Sequence, residues 1–313
     1  MPLREGEWNL SYGRNGVHPG ADFTFGTIAS GYYLLEPYEI TYGDIDAGDV
    51  PMPQEDGARF GQDYRGQATV TFEVGVDTVD AAPTQLGRHG ANLDAVSVML
   101  QAWDAEAVRR RFGTPAVLRT VQGGRARRFY GRPRKIAPAG SVLTRQGYTP
   151  VVATFVCVDS AAYDDVEQIV RVGLVPPDHY GLVGPLTTPL TMTAESSGKV
   201  AGDVVVQGTR PTWPVITFYG PIRRPVCDVI GRWKASLDLT IGEGERVVVD
   251  TRPWARTVLR NGSASVAGAL TRDTPRLKDM RLPPGRQDFV LRGTDATGTA
   301  YMTVAWRDAH GYL

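Results

Sequence analysis

"RARRFYGRPRKI", residues 125–136, places six arginines and lysines in twelve positions of a chain with 34 basic and 34 acidic residues. Arginines around an aromatic pair could form a stacking platform for nucleic acid. Extended backbone argues otherwise, because successive side chains alternate between the two faces of a strand. Arg125, Arg127, Phe129 and Gly131 then face one way, and Ala126, Arg128, Tyr130 and Arg132 the other. Neither face is uniformly basic. Pro133 cannot donate to a ladder, which confines pairing there to an edge or a strand end. The stretch therefore reads as a strand of a β domain, with its charge available for a protein contact. Specific recognition of a polynucleotide is not expected.

The same grammar holds on both sides. Upstream, "ATVTFEV" (68–74) sets Val70, Phe72 and Val74 on one face against Thr69, Thr71 and Glu73. "DFTFGTIA" and "YYLLEPYEITYGDI" are β-branched and aromatic runs broken by Gly, Pro and Asp. Residues 47–63 are poor in apolar side chains and read as a long exposed loop or arm. One helix is expected near 92–111, with Asn92 as N-cap, Leu93, Val96, Leu100, Trp103, Ala107 and Val108 as its apolar stripe, and Gly113 as its stop. Downstream, "PAVLRTV" and "YTPVVATFVCVD" are further strands. Seven or more short strands follow between about 188 and the end, as in a β-sandwich. The fold class is thus mainly β. The Pro- and Gly-rich "VGLVPPDHYGLVGPLTTPL" marks the boundary between a domain at 1–178 and a second at 179–313.

At 313 residues, 42% hydrophobic and 22% charged, the chain can bury a core without metal or disulfide staples. Cys157 and Cys227 sit in apolar runs and read as two buried thiols in a reducing compartment. The first residues lack an apolar signal core, and no run approaches a membrane span. A soluble protein without a membrane partner is expected.

Catalytic and metal motifs fail one by one. His18, His89, His179 and His310 form no HxH or HExxH pair. No GxSxG elbow is present, and "ESSGKVAG" lacks the first glycine and the Ser/Thr of a P-loop. Gly242 and Gly244 precede a β-branched run, so a strand turn fits them better than a dinucleotide fingerprint. Asp164–Asp165 could serve acid–base chemistry but reads as a surface turn. No catalytic residue, cofactor or metal is assigned. Charge, however, is segregated. Residues 36–63 hold eight acids and one base, whereas no acid falls between Glu106 and Asp159, where eleven bases lie.

"FYGRPRKI" (129–136) followed by "ATFVCVDSAAYDD" (153–165) resembles the end of the N-terminal domain in distal tail proteins of siphophages, the minor tail proteins of actinobacteriophage type. "GTRPTWPVITFYGPIRRPVCDV" (208–229), "ERVVVDT" (245–251), "LPPGRQDFVLRG" (282–293) and "TVAWRDA" (303–309) resemble the later strands of that family, in family order. The resemblance implies an N-terminal β-barrel-like domain with one α-helix and a C-terminal galectin-like β-sandwich. It implies a homohexameric ring at the virion tail tip, assembled in the host cytoplasm, that joins the tail-tube protein to the baseplate hub or tail-associated protein and carries receptor-binding proteins. It implies no catalysis. In such a ring, Arg125, Arg127, Arg128, Arg132 and Arg134 become interface candidates opposite Asp44, Asp46 and Asp49, between neighbouring subunits or within the domain. The alternative function is carbohydrate binding at the host surface, with Trp213, Trp233 or Trp254 as the stacking ring.

Overall fold

The computed structural model describes residues 2–174, 202–295 and 297–313. The chain forms two compact units, Met1–Val166 with His310–Leu313, and Glu167–Ala309. In the first unit the strands are β1 (Trp8–Tyr12), β2 (Ala21–Phe25), β3 (Tyr32–Leu34), β4 (Glu39–Thr41), β5 (Ile45–Asp46), β6 (Val50–Pro51), β7 (Ala58–Arg59), β8 (Tyr64–Arg65) and β9 (Thr69–Asp77). Helices α1 (Gln85–Asp104) and α2 (Glu106–Arg109) follow, then β10 (Ala116–Gln122), β11 (Arg125–Pro138), β12 (Tyr148–Cys157) and β13 (Ala162–Asp164).

The main sheet runs β2-β1-β10-β11-β12-β9-β3. Its two ends meet where the Gly26 N–H donates to the Tyr32 carbonyl at 2.7 Å, so the sheet nearly closes into a barrel. Gly26 has φ +114°, and a Cβ there would lie 2.6 Å from the Gly6 carbonyl oxygen. Only glycine fits this seam.

Alternation fills the interior. Val70, Phe72, Val74 and Val76 of β9 and Val151, Ala153, Phe155 and Cys157 of β12 are buried, and the alternate residues apart from Gly75 are exposed or half-buried. Each fully buried Val or Phe among them contributes about 1.5–3 kcal/mol of transfer free energy. Trp8, Phe25, Phe72 and Trp103 form an edge-to-face cluster, with Phe72 4.8 Å from Trp8 and 5.0 Å from Phe25. β11 pairs with β10 through Arg125–Gly131 and with β12 through Gly131–Pro138. Pro133 sits where β10 has already ended, beside an irregularity in the register.

The helix differs from the sequence expectation. It begins at Gln85, where the Thr84 hydroxyl accepts the Gly87 N–H at 3.1 Å. Asn92 lies inside it, fully buried, and its amide donates to the Val76 and Gly147 carbonyls at 3.0 Å each. Gly87 and Gly90 hide the first turns from a propensity reading, since each lowers helix propensity by about 1 kcal/mol. Ala105, at φ 45°, separates α1 from the short α2. Leu93 is exposed; Val96, Met99 and Trp103 carry the buried face.

The second unit contains β14 (Gln168–Gly173), β15 (Gly202–Val206), β16 (Val215–Tyr219), β17 (Ile222–Val229), β18 (Trp233–Ser236), β19 (Thr240–Ile241), β20 (Arg246–Asp250), β21 (Thr257–Arg260), β22 (Ala264–Ser265), β23 (Gly285–Thr294) and β24 (Tyr301–Trp306). One sheet runs β14-β24-β16-β20-β21-β22. The other runs β15-β23-β17-β18, with β19 also on β17. Ile216, Phe218, Val247 and Met302 from the first sheet share one core with Cys227, Val229, Phe289 and Leu291 from the second. That is a β-sandwich. The units divide at Val166–Glu167 and not at 178, because residues 168–173 pair with β24. The boundary at 178 and His179 lie outside the described residues. A last short strand, β25 (Ala309–His310), pairs with β13 where the chain returns to the first unit.

No helix among the described residues is long and apolar enough to cross a membrane. Cys157 and Cys227 are free and buried. Burial pushes both thiols far above their ordinary pKa, with Asp159 and Asp228 adding to the effect. They stay protonated at neutral pH, and the thiolate is the reactive form. A thiol reagent at pH 8 should therefore label neither cysteine in the native protein and both after denaturation, as counted by mass spectrometry. Rapid native labelling would contradict this. The raised pKa favours the folded state below the unfolded value of about 8.5, and this contribution is lost as pH rises above it.

Candidate functional site

The arginines of β11 meet Asp164 and Asp165, the acid pair that the sequence places in a surface turn. Arg127 pairs across the strands with Asp164, which also lies 3.2 Å from Nε2 of His310. Arg128 donates to Asp165 Oδ1 through Nε and Nη2, at 2.9 and 2.6 Å, and to its carbonyl at 3.0 Å. Arg132 is spent on carbonyls, donating to Thr114 O at 2.9 Å and also to Arg111 O. Burial, with the charge of Arg134 nearby, lowers the Arg132 pKa. Arg125 is exposed and reaches the Leu313 carbonyl at 3.5 Å; Arg134 is exposed as well.

This cluster has a definite position. Asp164 and Asp165 lie just before the chain leaves the first unit, and His310–Leu313 is where it returns. The basic strand therefore anchors both chain segments at the boundary. The Arg128–Asp165 pair is part-buried and multiply bonded, so Arg128→Ala should destabilise the first unit by about 1–3 kcal/mol. Chemical denaturation reads this directly, and a change below about 0.3 kcal/mol would place the pair among the weak surface ion pairs.

Asp44, Asp46 and Asp49 lie elsewhere. They sit on an arm in which β5 pairs with β8 and β6 with β7. From Asp44 to Gln67 every residue except Met52 is exposed, including Ile45, Val50, Tyr64 and Phe60, the last at 87%. Asp49 accepts the Gly61 N–H at 3.0 Å and so braces the arm itself. None of the three acids forms an ion pair among the described residues. A contact between them and the β11 arginines inside one chain is thus not formed. Asp164–Asp165 supplies the partners, and only the register of β13 on β11 could have revealed this.

The tryptophans are partly covered. The Arg281 guanidinium lies over Trp213 at 5.2 Å, while its carbonyl accepts the Trp233 Nε1–H at 2.9 Å. Arg252 lies over Trp254 at 5.5 Å. One ring face of Trp213 and one of Trp254 already carries a cation. Among the described residues no group of three or more His, Cys, Asp or Glu could hold a metal ion.

No protein-family model matches the sequence, and no curated protein matches it. Solved structures do match. The crystal structure of SPP1 Dit (gp 19.1), described as a paradigm of the hub adsorption apparatus in phages infecting Gram-positive hosts, aligns over 96% of this chain and 98% of its own. The identity is 13% and the TM-score 0.55. The chain has the Dit fold. A chain of the phage P2 baseplate, in its activated conformation with Ca, aligns over 96% and 97% at 8% identity and TM-score 0.49. In the Dit fold, as here, one chain supplies both units, since the alignment covers nearly the whole of each protein.

Proposed function

We propose that the chain is a structural subunit of a long, non-contractile phage tail tip. Copies form a ring that joins the tail tube to the baseplate hub and carries adhesion proteins, as in the siphophage distal tail proteins whose motifs it resembles. The observation that carries the reading is the likeness to the SPP1 Dit hub along 96% of the chain. The exposed arm supports it, because an isolated two-stranded hairpin is marginal in water and gains order from a partner. A heterologous ring contact joins two different surfaces of one subunit. The acidic arm supplies one of them. With Arg127, Arg128 and Arg132 engaged internally, the β11 residues left to face a neighbour's arm are Arg125, Arg134 and Lys135.

Electron microscopy of the purified protein tests the reading through the symmetry of its particles. Sixfold rings with an open centre are expected. Particles of one or two copies at every concentration would count against it.

A further inference from the structure

The outer face of the first unit's main sheet holds a polar cavity. β2, β1 and β10 lie side by side, and their register sets Asn9 between Thr24 and Arg119. Trp8, Leu10, Phe23 and Phe25 belong to the core, so Asn9, Asp22, Thr24 and Arg119 share the opposite face. A polar side chain on such a face is ordinarily wet, yet Asn9 is only 2% exposed. The cavity over these residues measures about 640 Å³, and Arg4 and Glu7 also line it. That is the size range of small-molecule sites.

Asn9 acts as a clamp. Its amide nitrogen donates to Asp22 Oδ1 at 2.6 Å and to Thr24 Oγ1 at 3.0 Å. Its amide oxygen accepts Arg119 Nε at 3.2 Å and Nη2 at 2.8 Å. The full hydrogen-bonding capacity of the buried amide is thus spent on positioning three neighbours. It also holds Arg119 and Asp22 apart, with 4.0 Å between Nη2 and Oδ1. A guanidinium and a carboxylate free to meet would close to about 2.7–2.9 Å. Held this way, each keeps capacity for a third group. Arg119 can donate through Nη1, Asp22 can accept through Oδ2, and Thr24 has its hydroxyl proton to give because its oxygen already accepts.

These remaining capacities select a ligand. The Nε–Nη2 edge of Arg119, which would grip a carboxylate or phosphate bidentately, is filled by Asn9. The formal charges of Arg119 and Asp22 cancel, as do those of Arg4 and Glu7, so the cavity has no net charge to choose an ion. Single donors set beside a carboxylate acceptor suit a group that both donates and accepts. A hydroxyl does so, and adjacent hydroxyls of a sugar ring do so in series. No aromatic ring lines the cavity, so recognition there rests on hydrogen bonds and not on stacking.

We propose that this cavity binds a neutral saccharide. Asp22 accepts from one ring hydroxyl, Arg119 and Thr24 donate to its neighbours, and Asn9 keeps the three in place. Such a site does not depend on the tail-tip reading. It belongs to the first unit, whereas Trp213, Trp233 and Trp254 belong to the second.

Saturation-transfer NMR and calorimetric titration of the full chain test it. The probes are glucose, galactose, mannose, N-acetylglucosamine, maltose and lactose, with glycine and inorganic phosphate as the zwitterionic and anionic controls. At least one sugar should saturate a single site per chain, and neither control should compete. Asp22→Ala, at an exposed side chain, and Arg119→Met, which keeps the stem and removes the donors, should each weaken binding by about 10-fold or more. Circular dichroism should match wild type. Should Arg119→Met fail to fold, Asp22→Ala alone decides, since exposed positions tolerate substitution. No binding by any sugar of the panel, or binding that a folded variant leaves unchanged, would overturn the proposal. A site that takes glycine or phosphate in place of sugar would overturn it as well.

Discussion

Replacing residues 44–65 by a two-residue turn should abolish self-assembly and leave the subunit folded. The arm reaches no core: apart from Met52, every residue from Asp44 to Gln67 is exposed. Its root is already closed, because the Gly66 N–H donates to the Asp44 carbonyl at 3.0 Å and Gly66 Cα would lie only 2.8 Å from a Cβ on Gly43. A short Asn-Gly connection can bridge that gap as a type I′ turn. Shortening a loop roughly tenfold lowers closure entropy by about 2 kcal/mol, so the first unit should melt at the wild-type temperature or slightly above it. Assembly should fall by at least 100-fold, about 2.7 kcal/mol or more. Light scattering reads the mass and calorimetry the stability. An assembled, arm-less protein would show that the subunit contact lies elsewhere.

Phe72→Ala should produce the largest loss of stability in the first unit. Phe72 is fully buried and meets Trp8, Phe25 and Trp103 edge-to-face. Truncating such a ring costs about 3–5 kcal/mol, because the transfer term and the cavity add. Domains of ordinary stability hold only about 5–15 kcal/mol, so the unfolded fraction should rise by two to three orders of magnitude or more. The corresponding drop in the melting temperature of the first unit is about 6–20 °C. Phe60→Ala, at the same residue type but on the arm, should change it by no more than about 0.5 kcal/mol. Equal effects at the two positions would contradict the assignment of core and arm.

Much of the fold was legible because strands write their burial into alternation. Val70, Phe72 and Val74 declare their face in the sequence, and the exposed character of 47–63 follows from its lack of apolar residues. Gly131 shows the limit of that reading. Alternation assigns it a face, but not the reason for glycine: a Cβ there would lie 2.1 Å from the Val156 carbonyl oxygen of β12. The start of α1 was hidden because Gly87 and Gly90 weaken the local signal, while Asn92 imitates a cap and instead bonds Val76 and Gly147 from the helix interior. For the interface candidates, charge segregation singles out the arm and β11, but within the chain Arg127 and Arg128 meet Asp164 and Asp165 instead of Asp44, Asp46 and Asp49. Long-range register decides such pairings, and Arg127↔Asp164 spans 37 residues that no local pattern connects.

The mass of the purified full chain in solution tests the central claim most directly. As a ring subunit, the 34.0 kDa chain should give particles of six or twelve copies at low salt, and these should dissociate as salt screens the acidic arm from its basic acceptor. A protein that remains monomeric across concentration and salt, with its first unit folded, would contradict it.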